Sequence, residues 1–461
     1  MTAESREQNV TTPDLRVAVI GAGYVGLTTA ACLASLGHRV RCADQDAALV
    51  KRLRRGQVDI MEPGLPVLVA EGLAAGRLQF DAGTRDAVAD AEAVFLCLPT
   101  PTGPGGAPDV TALMAVAAEI AGALLEGSVV VIKSTVPPGT AARIADLLDR
   151  PDLVVASNPE FLREGTAVAD FLRPDRIVIG CDTDGAQRVA GLYAKLEAPV
   201  IVTSTSSAEL AKYAANCFLA VKLSYINEVA GLCERAGADI REVAEVLGHD
   251  PRIGASHLRP GPGWGGPCLP KDAKALLHLG WVAGSELTLL RAAIAANQWQ
   301  QRQVVEKIRL ALGGSLVGTR IALLGLTFKP GTGDLRDSPA TAVATLLAAE
   351  QAQVVGCDPA VRASIPGTAV SEDLYKAVTG ADAVVILTDW PQFRKLDWTR
   401  ISQLMAGDTV IDTRNHLDPA ALDRAGLCWH GMGTKRSTMS EGSDTPRSVQ
   451  EVCGWSPYLL G

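Results

Sequence analysis

A short β-branched run, LRVAVI at 15–20, passes directly into GAGYVG at 21–26 and then into helix-forming TTAACLASLG. A strand that meets a helix through GxGxxG leaves few folds open, because each glycine answers a different geometric demand. Gly21 permits the tight turn, Gly23 lets backbone approach a pyrophosphate, and Gly26 allows close packing of helix on strand. Amide N–H groups at the helix start then face the phosphates. The next strand, HRVRCAD, ends at Asp44, 18 residues beyond Gly26, where a carboxylate can hold ribose hydroxyls. The same carboxylate repels a 2′-phosphate, so the expected cofactor is NAD.

The rhythm continues with strand-like AVFLCL (93–98), SVVVIK (128–133), DLVVAS (152–157), RIVIG (176–180) and PVIVT (199–203), and a helical stretch at 110–125. Strands alternating with helices predict an α/β fold with a parallel sheet covered on both faces. From Ser204 to about Ala236 there is no Pro, and no Gly before Gly231. This predicts one long helix, followed by a second over Asp239–Leu247 and a Gly/Pro-rich loop at 259–272. After Gly313 and Gly314 the α/β pattern returns in TRIALLGLTF, QVVGCDP, DAVVILT and DTVIDT. Its second strand also ends in Asp, at Asp358, but a full glycine fingerprint is missing. The expected architecture is two Rossmann-like parallel-sheet domains joined by a long central helix and a helical middle region. The boundaries are a polar arm (1–14), a dinucleotide-binding domain (15–203), a central helical domain with the cysteine loop (204–312), a second Rossmann-like domain (313–436) and a flexible tail (437–461).

The balance of 43 basic and 51 acidic residues, net −8, argues against a broad nucleic-acid surface. No apolar run is long enough to span a membrane, and the polar start lacks a secretory core, so a soluble cytoplasmic protein is expected. No two of the ten cysteines lie within four positions of each other, which disfavours zinc ribbons and CxxC motifs; no metal is expected. Cys268 lies in GPGWGGPCLPKD with Lys271 and Asp272 close behind. A thiol beside a cation ionises more readily and a carboxylate can activate water, although a lone Cys among apolar neighbours also serves as packing. Lys212 and Asn216 share a helix face. They read either as a snorkelling Lys with a locally bonded Asn, or as donors aimed at an oxyanion. Glu160 and Glu164, in the charged segment 157–176, could serve acid/base work, but on the residues alone an exposed charged loop is the leading reading and catalysis the minority one.

The chain resembles the nucleotide-sugar 6-dehydrogenases of the UDP-glucose/GDP-mannose dehydrogenase family. The carriers are GAGYVG, EPGL (62–65), LPTP (98–101), KSTVPPGT (133–140), NPEFLREGTAVADFLRPDRIVIG (158–180), AELAKYAANCFLAVKLSYINEVAGLCERAGAD (208–239), RIG (252–254), GWGGPCLPKD (263–272), FKPGTGDLRDSP (328–339) and IDTRN (411–415). Pro267 stands where the family usually has Ser. The resemblance implies a four-electron oxidation of a sugar 6-hydroxyl to a carboxylate with two NAD in succession. Cys268 would capture the aldehyde as a thiohemiacetal and pass through a thioester. Lys212 would stabilise the oxyanion, Asn216 and Thr135 would hold substrate or water, and Asp272 or Glu160 would activate the hydrolytic water. NAD would contact Gly21, Gly23, Tyr24, Val25, Gly26, Asp44, Pro99, Thr100, Thr135, Glu164, Lys271 and Arg336. The nucleotide-sugar would contact Phe161, Leu162, Glu164, Lys212, Asn216, Gly265, Cys268, Phe328 and Lys329, with Arg252 reaching into a neighbouring subunit of at least a homodimer. RIG and the Trp264 loop favour the UDP-glucose branch. Alternatives are dTDP-glucose, GDP-mannose or a UDP-hexosamine as substrate, a non-catalytic sensor of NAD or nucleotide-sugar, and a two-electron hydroxyacid dehydrogenase that needs no cysteine.

Overall fold

The computed structural model describes residues 14–434. The readings for residues 1–13 of the polar arm and for the 437–461 tail lie outside the described residues. Two compact units are present. The first runs up to Cys217 and takes in Lys271–Leu287; the second holds Phe218–Pro270 and everything from Thr288.

The first unit carries an eight-stranded sheet. Its strands are β1 (Arg16–Ile20), β2 (Arg39–Ala43), β3 (Leu78–Asp81), β4 (Ala93–Leu96), β5 (Val129–Ile132), β6 (Val154–Ser157), β7 (Ile177–Gly180) and β8 (Val200–Thr203). The spatial order is β3-β2-β1-β4-β5-β6-β7-β8. Every residue of β4 and β5 is buried, as expected for strands covered by helices on both faces. All neighbours pair in parallel except β6 and β7, whose single register pair, Ser157 with Gly180, is antiparallel. The second unit repeats the pattern in six strands: β9 (Arg320–Leu324), β10 (Gln353–Cys357), β11 (Ala369–Val370), β12 (Ala383–Ile386), β13 (Thr409–Asp412) and β14 (Cys428–Gly431). Their order, β11-β10-β9-β12-β13-β14, is parallel throughout.

In both sheets the chain reverses its direction of winding beside the first strand, between β1 and β4 and between β9 and β12. Such switch points open a crevice at the carboxyl ends of the strands, where ligands bind in open α/β folds. The long helix spans Thr205–Ala236 and is followed by Ile240–His249, whose Asp239 cap accepts from the Arg241 amide. Among the described residues, no helix is long and apolar enough to cross a membrane.

Candidate active site

The glycine loop follows β1 and leads into the helix Tyr24–Ser35. Gly21 has φ +100°, and a Cβ on it would lie 2.5 Å from the Cys97 carbonyl oxygen beyond β4. A Cβ on Gly26 would lie 1.8 Å from the Gly21 carbonyl oxygen, so the helix sits closer to the turn than any side chain permits. Gly23 is exposed and faces open space. It caps the helix without a side-chain acceptor, and no acidic residue occupies the first turn, so the leading amides can serve an anion. Half-buried Asp44 orients the loop: its Oδ2 accepts from Ala22 N at 2.8 Å and its Oδ1 from Asp46 N at 2.9 Å. A glycine cradle, bare helix amides and a carboxylate at the end of β2 fit the pyrophosphate and ribose of a dinucleotide.

Tyr24 explains two further motifs. Its hydroxyl donates to Glu62 of EPGL and accepts from the Gly165 amide at 2.7 Å, tying both segments to the glycine loop. Glu62 is buried and also accepts from Val168 N, a role the sequence reading missed because its partners lie far along the chain. Burial, followed by the bond to Glu62, pushes the Tyr24 phenol well above its ordinary range. Val25 is half-buried, packed on the core, and Glu164 is half-buried. Pro99 is exposed, whereas Thr100 is buried and donates to the Thr135 carbonyl at 2.8 Å, joining LPTP to KSTVPPGT. The other end of KSTVPPGT is held by Glu209 of the long helix, which accepts from Gly139 N at 2.6 Å and Ala141 N at 2.8 Å.

Two clusters of polar residues stand in the first unit. Lys212 Nζ lies 3.1 Å from Glu160 Oε1, with side chains only 4% and 8% exposed, so this ion pair is shielded from water. Glu160 Oε2 accepts from Leu162 N at 2.5 Å, and Lys212 stands 5.2 Å from the centre of the Phe161 ring. Arg176 covers Phe161 at 3.7 Å. In the second cluster, buried Asp272 takes Asn216 Nδ2 at 2.6 Å on one oxygen and Lys271 Nζ at 2.6 Å on the other. The 157–176 segment therefore buries its key carboxylate in an ion pair.

In the second unit, Trp264 donates to Ser224 at 2.9 Å, and its amide donates to Asn297 at 2.7 Å, fixing the Gly/Pro loop on the long helix and on Thr288–Ala311. The glycines then seat the loop on the 328–339 segment. A Cβ on Gly265 would lie 1.9 Å from the Asp337 carbonyl oxygen, and one on Gly266 would meet the Phe328 ring at 2.6 Å. Only glycines allow that approach. Cys268 follows at once and precedes the helix Leu269–Val282. It is the one exposed cysteine among the described residues. Burial pushes the Cys32, Cys97 and Cys217 thiols up to about 12, which leaves them inert at neutral pH. Lys329 is half-buried beside Phe328, and Arg336 and Arg252 are exposed, each paired with an aspartate two residues back, Asp334 and Asp250. Arg414 of IDTRN was missed as a site candidate. It donates to the Leu387 carbonyl at 2.9 Å and packs so close to Gly261 that a Cβ there would lie 2.6 Å from it.

Comparisons with known proteins place the chain in a family. Models of the UDP-glucose/GDP-mannose dehydrogenase family match as its NAD binding domain (residues 15–197), its central domain (206–299) and its UDP binding domain (322–419). The UDP-glucose 6-dehydrogenase of Rhizobium meliloti (strain 1021) is 44% identical over 416 residues, covering 87% of this chain and 95% of that protein. A solved UDP-glucose dehydrogenase from the hyperthermophilic archaeon Pyrobaculum islandicum is 37% identical with a TM-score of 0.81, covering 89% of this chain and 97% of its own. A UDP-D-ManNAc dehydrogenase from Pyrococcus horikoshii is 31% identical with a TM-score of 0.82, covering 91% and 99%. With three consecutive domains matched in order, this chain belongs to the UDP-glucose/GDP-mannose dehydrogenase family and is an NAD-dependent nucleotide-sugar dehydrogenase.

Proposed function

We propose that this chain oxidises UDP-glucose to UDP-glucuronate in two NAD-dependent steps through a covalent bond to Cys268. The observation that carries this reading is the exposed Cys268 thiol, held at the start of a 14-residue helix by a glycine-seated loop. Amide dipoles at a helix start favour negative charge on the sulfur. A two-electron hydroxyacid dehydrogenase would have no use for such a nucleophile. A sensor would have no use for the shielded Glu160–Lys212 pair.

Residues 15–203 hold the dinucleotide in this reading, and residues 313–436 hold the nucleotide-sugar. Bound NAD supplies the hydride acceptor for each oxidation. Lys212 donates to the 6-oxygen as negative charge grows there, a role that its low-dielectric setting strengthens. Thr135, whose carbonyl is pinned by Thr100, and Asn216 orient the sugar and the later water. The 6-hydroxyl proton leaves to solvent with the first hydride transfer. Cys268 sulfur then bonds to the aldehyde carbon as its proton passes to the carbonyl oxygen. The thiohemiacetal loses a second hydride and its hydroxyl proton, the latter to solvent, so that a thioester remains. Asp272, four residues after Cys268, takes a proton from water as it attacks the thioester; Glu160 is the second carboxylate able to do so. The acid leaves and the thiol is restored. Phe161, Leu162, Glu164, Gly265, Phe328 and Lys329 are the substrate contacts that the family resemblance implies.

The sugar and base rest on likeness to the Rhizobium meliloti and Pyrobaculum islandicum proteins; the Pyrococcus horikoshii relative has a matching fold and a different sugar in its name. Comparing kcat/KM for UDP-glucose, dTDP-glucose, GDP-mannose and UDP-N-acetylmannosamine tests the assignment, and a faster donor than UDP-glucose would replace it. Two further parts of the reading are a homodimer and a cytosolic setting. Exposed Phe218, Tyr225 and Leu232, seven residues apart on the long helix, support a helix face covered by a second copy. Outward-facing Arg252 supports a contribution to a neighbour's substrate.

Asp44→Ala should weaken NAD about tenfold, roughly 1.4 kcal/mol, and narrow the preference over NADP. Equilibrium titration with both cofactors checks this; unchanged affinities would remove the ribose role.

A further inference from the structure

One buried cation has no part in the mechanism above. Lys133, directly after β5, is 5% exposed. Its Nζ donates to Asn158 Oδ1 at 3.0 Å and to the Tyr193 hydroxyl at 3.2 Å, and it stands 5.8 Å and 5.4 Å from the centres of the Phe171 and Tyr193 rings. Among the described residues no carboxylate pairs with it. Asn158 is further fixed by the Tyr193 hydroxyl, which donates to its Oδ1 at 2.6 Å, and by its own Nδ2, which donates to the Val178 carbonyl at 2.7 Å. Two residues later comes Glu160, and Lys133, Asn158 and Glu160 all line one cavity of about 110 Å³. An ammonium buried among neutral partners costs stability. A use for its charge accounts for that cost.

We infer that Lys133 is a positioning residue for the oxidation: it fixes the Asn158–Glu160 segment and sets a second positive charge beside the Glu160–Lys212 pair. The inference rests on the proposed reaction, in which negative charge grows on the sugar oxygen at Lys212. A second cation in a poorly solvated site deepens that stabilisation.

Burial pushes the Lys133 ammonium down to about 8, with Lys212 adding to the depression and Glu160 opposing it. The other facing groups are Tyr193 and Cys97, and both stay neutral over this range, Cys97 because burial pushes it up to about 12. Charged residues further along the cavity wall are Arg163, paired with Asp170, then Arg173, Asp175 and Arg176. Lys133 is therefore mostly protonated at pH 7 and mostly neutral by pH 9.5. Its electrostatic help is present below about pH 8 and lost above it.

The test is kcat for UDP-glucose oxidation from pH 6.5 to 10 in the parent enzyme, Lys133→Met and Lys133→Gln; glutamine keeps a donor for Asn158 without the charge and covers a failure of the methionine variant to fold. At pH 7 kcat should fall about tenfold or more in the variants, with KM and NAD affinity within about twofold, and the gap should narrow several-fold by pH 9.5. A gap of constant size at every pH would reduce Lys133 to a packing role and overturn the inference. So would a change confined to KM. Parent enzyme that fails to release two NADH per sugar would instead defeat the underlying reaction, whatever the variants do.

Discussion

Cys268→Ser is expected to stop formation of the uronic acid while leaving NAD binding intact. Serine keeps the shape of the side chain, and the loop is held by Trp264, Gly265 and Gly266 rather than by the sulfur. What disappears is a thiol, intrinsically a far better nucleophile than a hydroxyl, which needs an adjacent general base to match it. The loss in kcat should be roughly 10³-fold or more, about 4 kcal/mol of transition-state stabilisation. Any residual turnover should stop at the aldehyde, releasing one NADH per sugar. Analysis of the sugar product by mass spectrometry checks this, and undiminished uronic acid would remove the covalent route. Of the other eight described thiols, six are buried, burial pushes half-buried Cys181 up to about 11, and half-buried Cys428 lies on β14, 3.3 Å from His430 Nε2.

Lys212→Met is expected to damage stability and turnover together, for separable reasons. Glu160 would be left as a buried carboxylate without its cation, and breaking such a pair from one side typically costs about 3–5 kcal/mol. Turnover would fall because the growing oxyanion loses its donor. The paired variant Lys212→Met with Glu160→Gln separates the two effects. Removing both charges should restore most of the stability, since a neutral pair leaves no uncompensated ion, while activity stays low. Chemical denaturation and kcat measured on the same three proteins give the comparison. A single variant as stable as the parent would show that the pair is not shielded as its 4% and 8% exposures indicate. Recovery of activity in the paired variant would remove Lys212 from the chemistry.

The nucleotide loop was legible in the sequence because its requirements are local: a strand, three glycines and an acidic strand end within 30 residues. Strand order was not legible. The antiparallel step between β6 and β7 rests on one register pair, β11 has only two residues, and β3 and β14 are four-residue strands that each show only a short alternation of burial. The parallel between Asp44 and Asp358 was visible, but their surroundings were not. Asp358 is 1% exposed and its Oδ2 already takes Leu326 N at 2.7 Å and Trp390 Nε1 at 3.1 Å, so it braces its own turn, whereas half-buried Asp44 keeps contact with solvent. The roles of Glu62, Glu209, Lys133 and Arg414 were hidden for a common reason. Each bonds to atoms at least 25 residues away, and only the folded chain brings those partners within reach. Exposure singled out Cys268 among the described cysteines, where spacing alone left packing and catalysis equally open.

The central claim is a four-electron oxidation at one carbon, and the ratio of NADH formed to UDP-glucose consumed measures it directly. Two NADH per sugar, with UDP-glucuronate as the product, is the expected result. One NADH per sugar with an accumulating aldehyde would contradict the account and leave Cys268 without the role assigned to it.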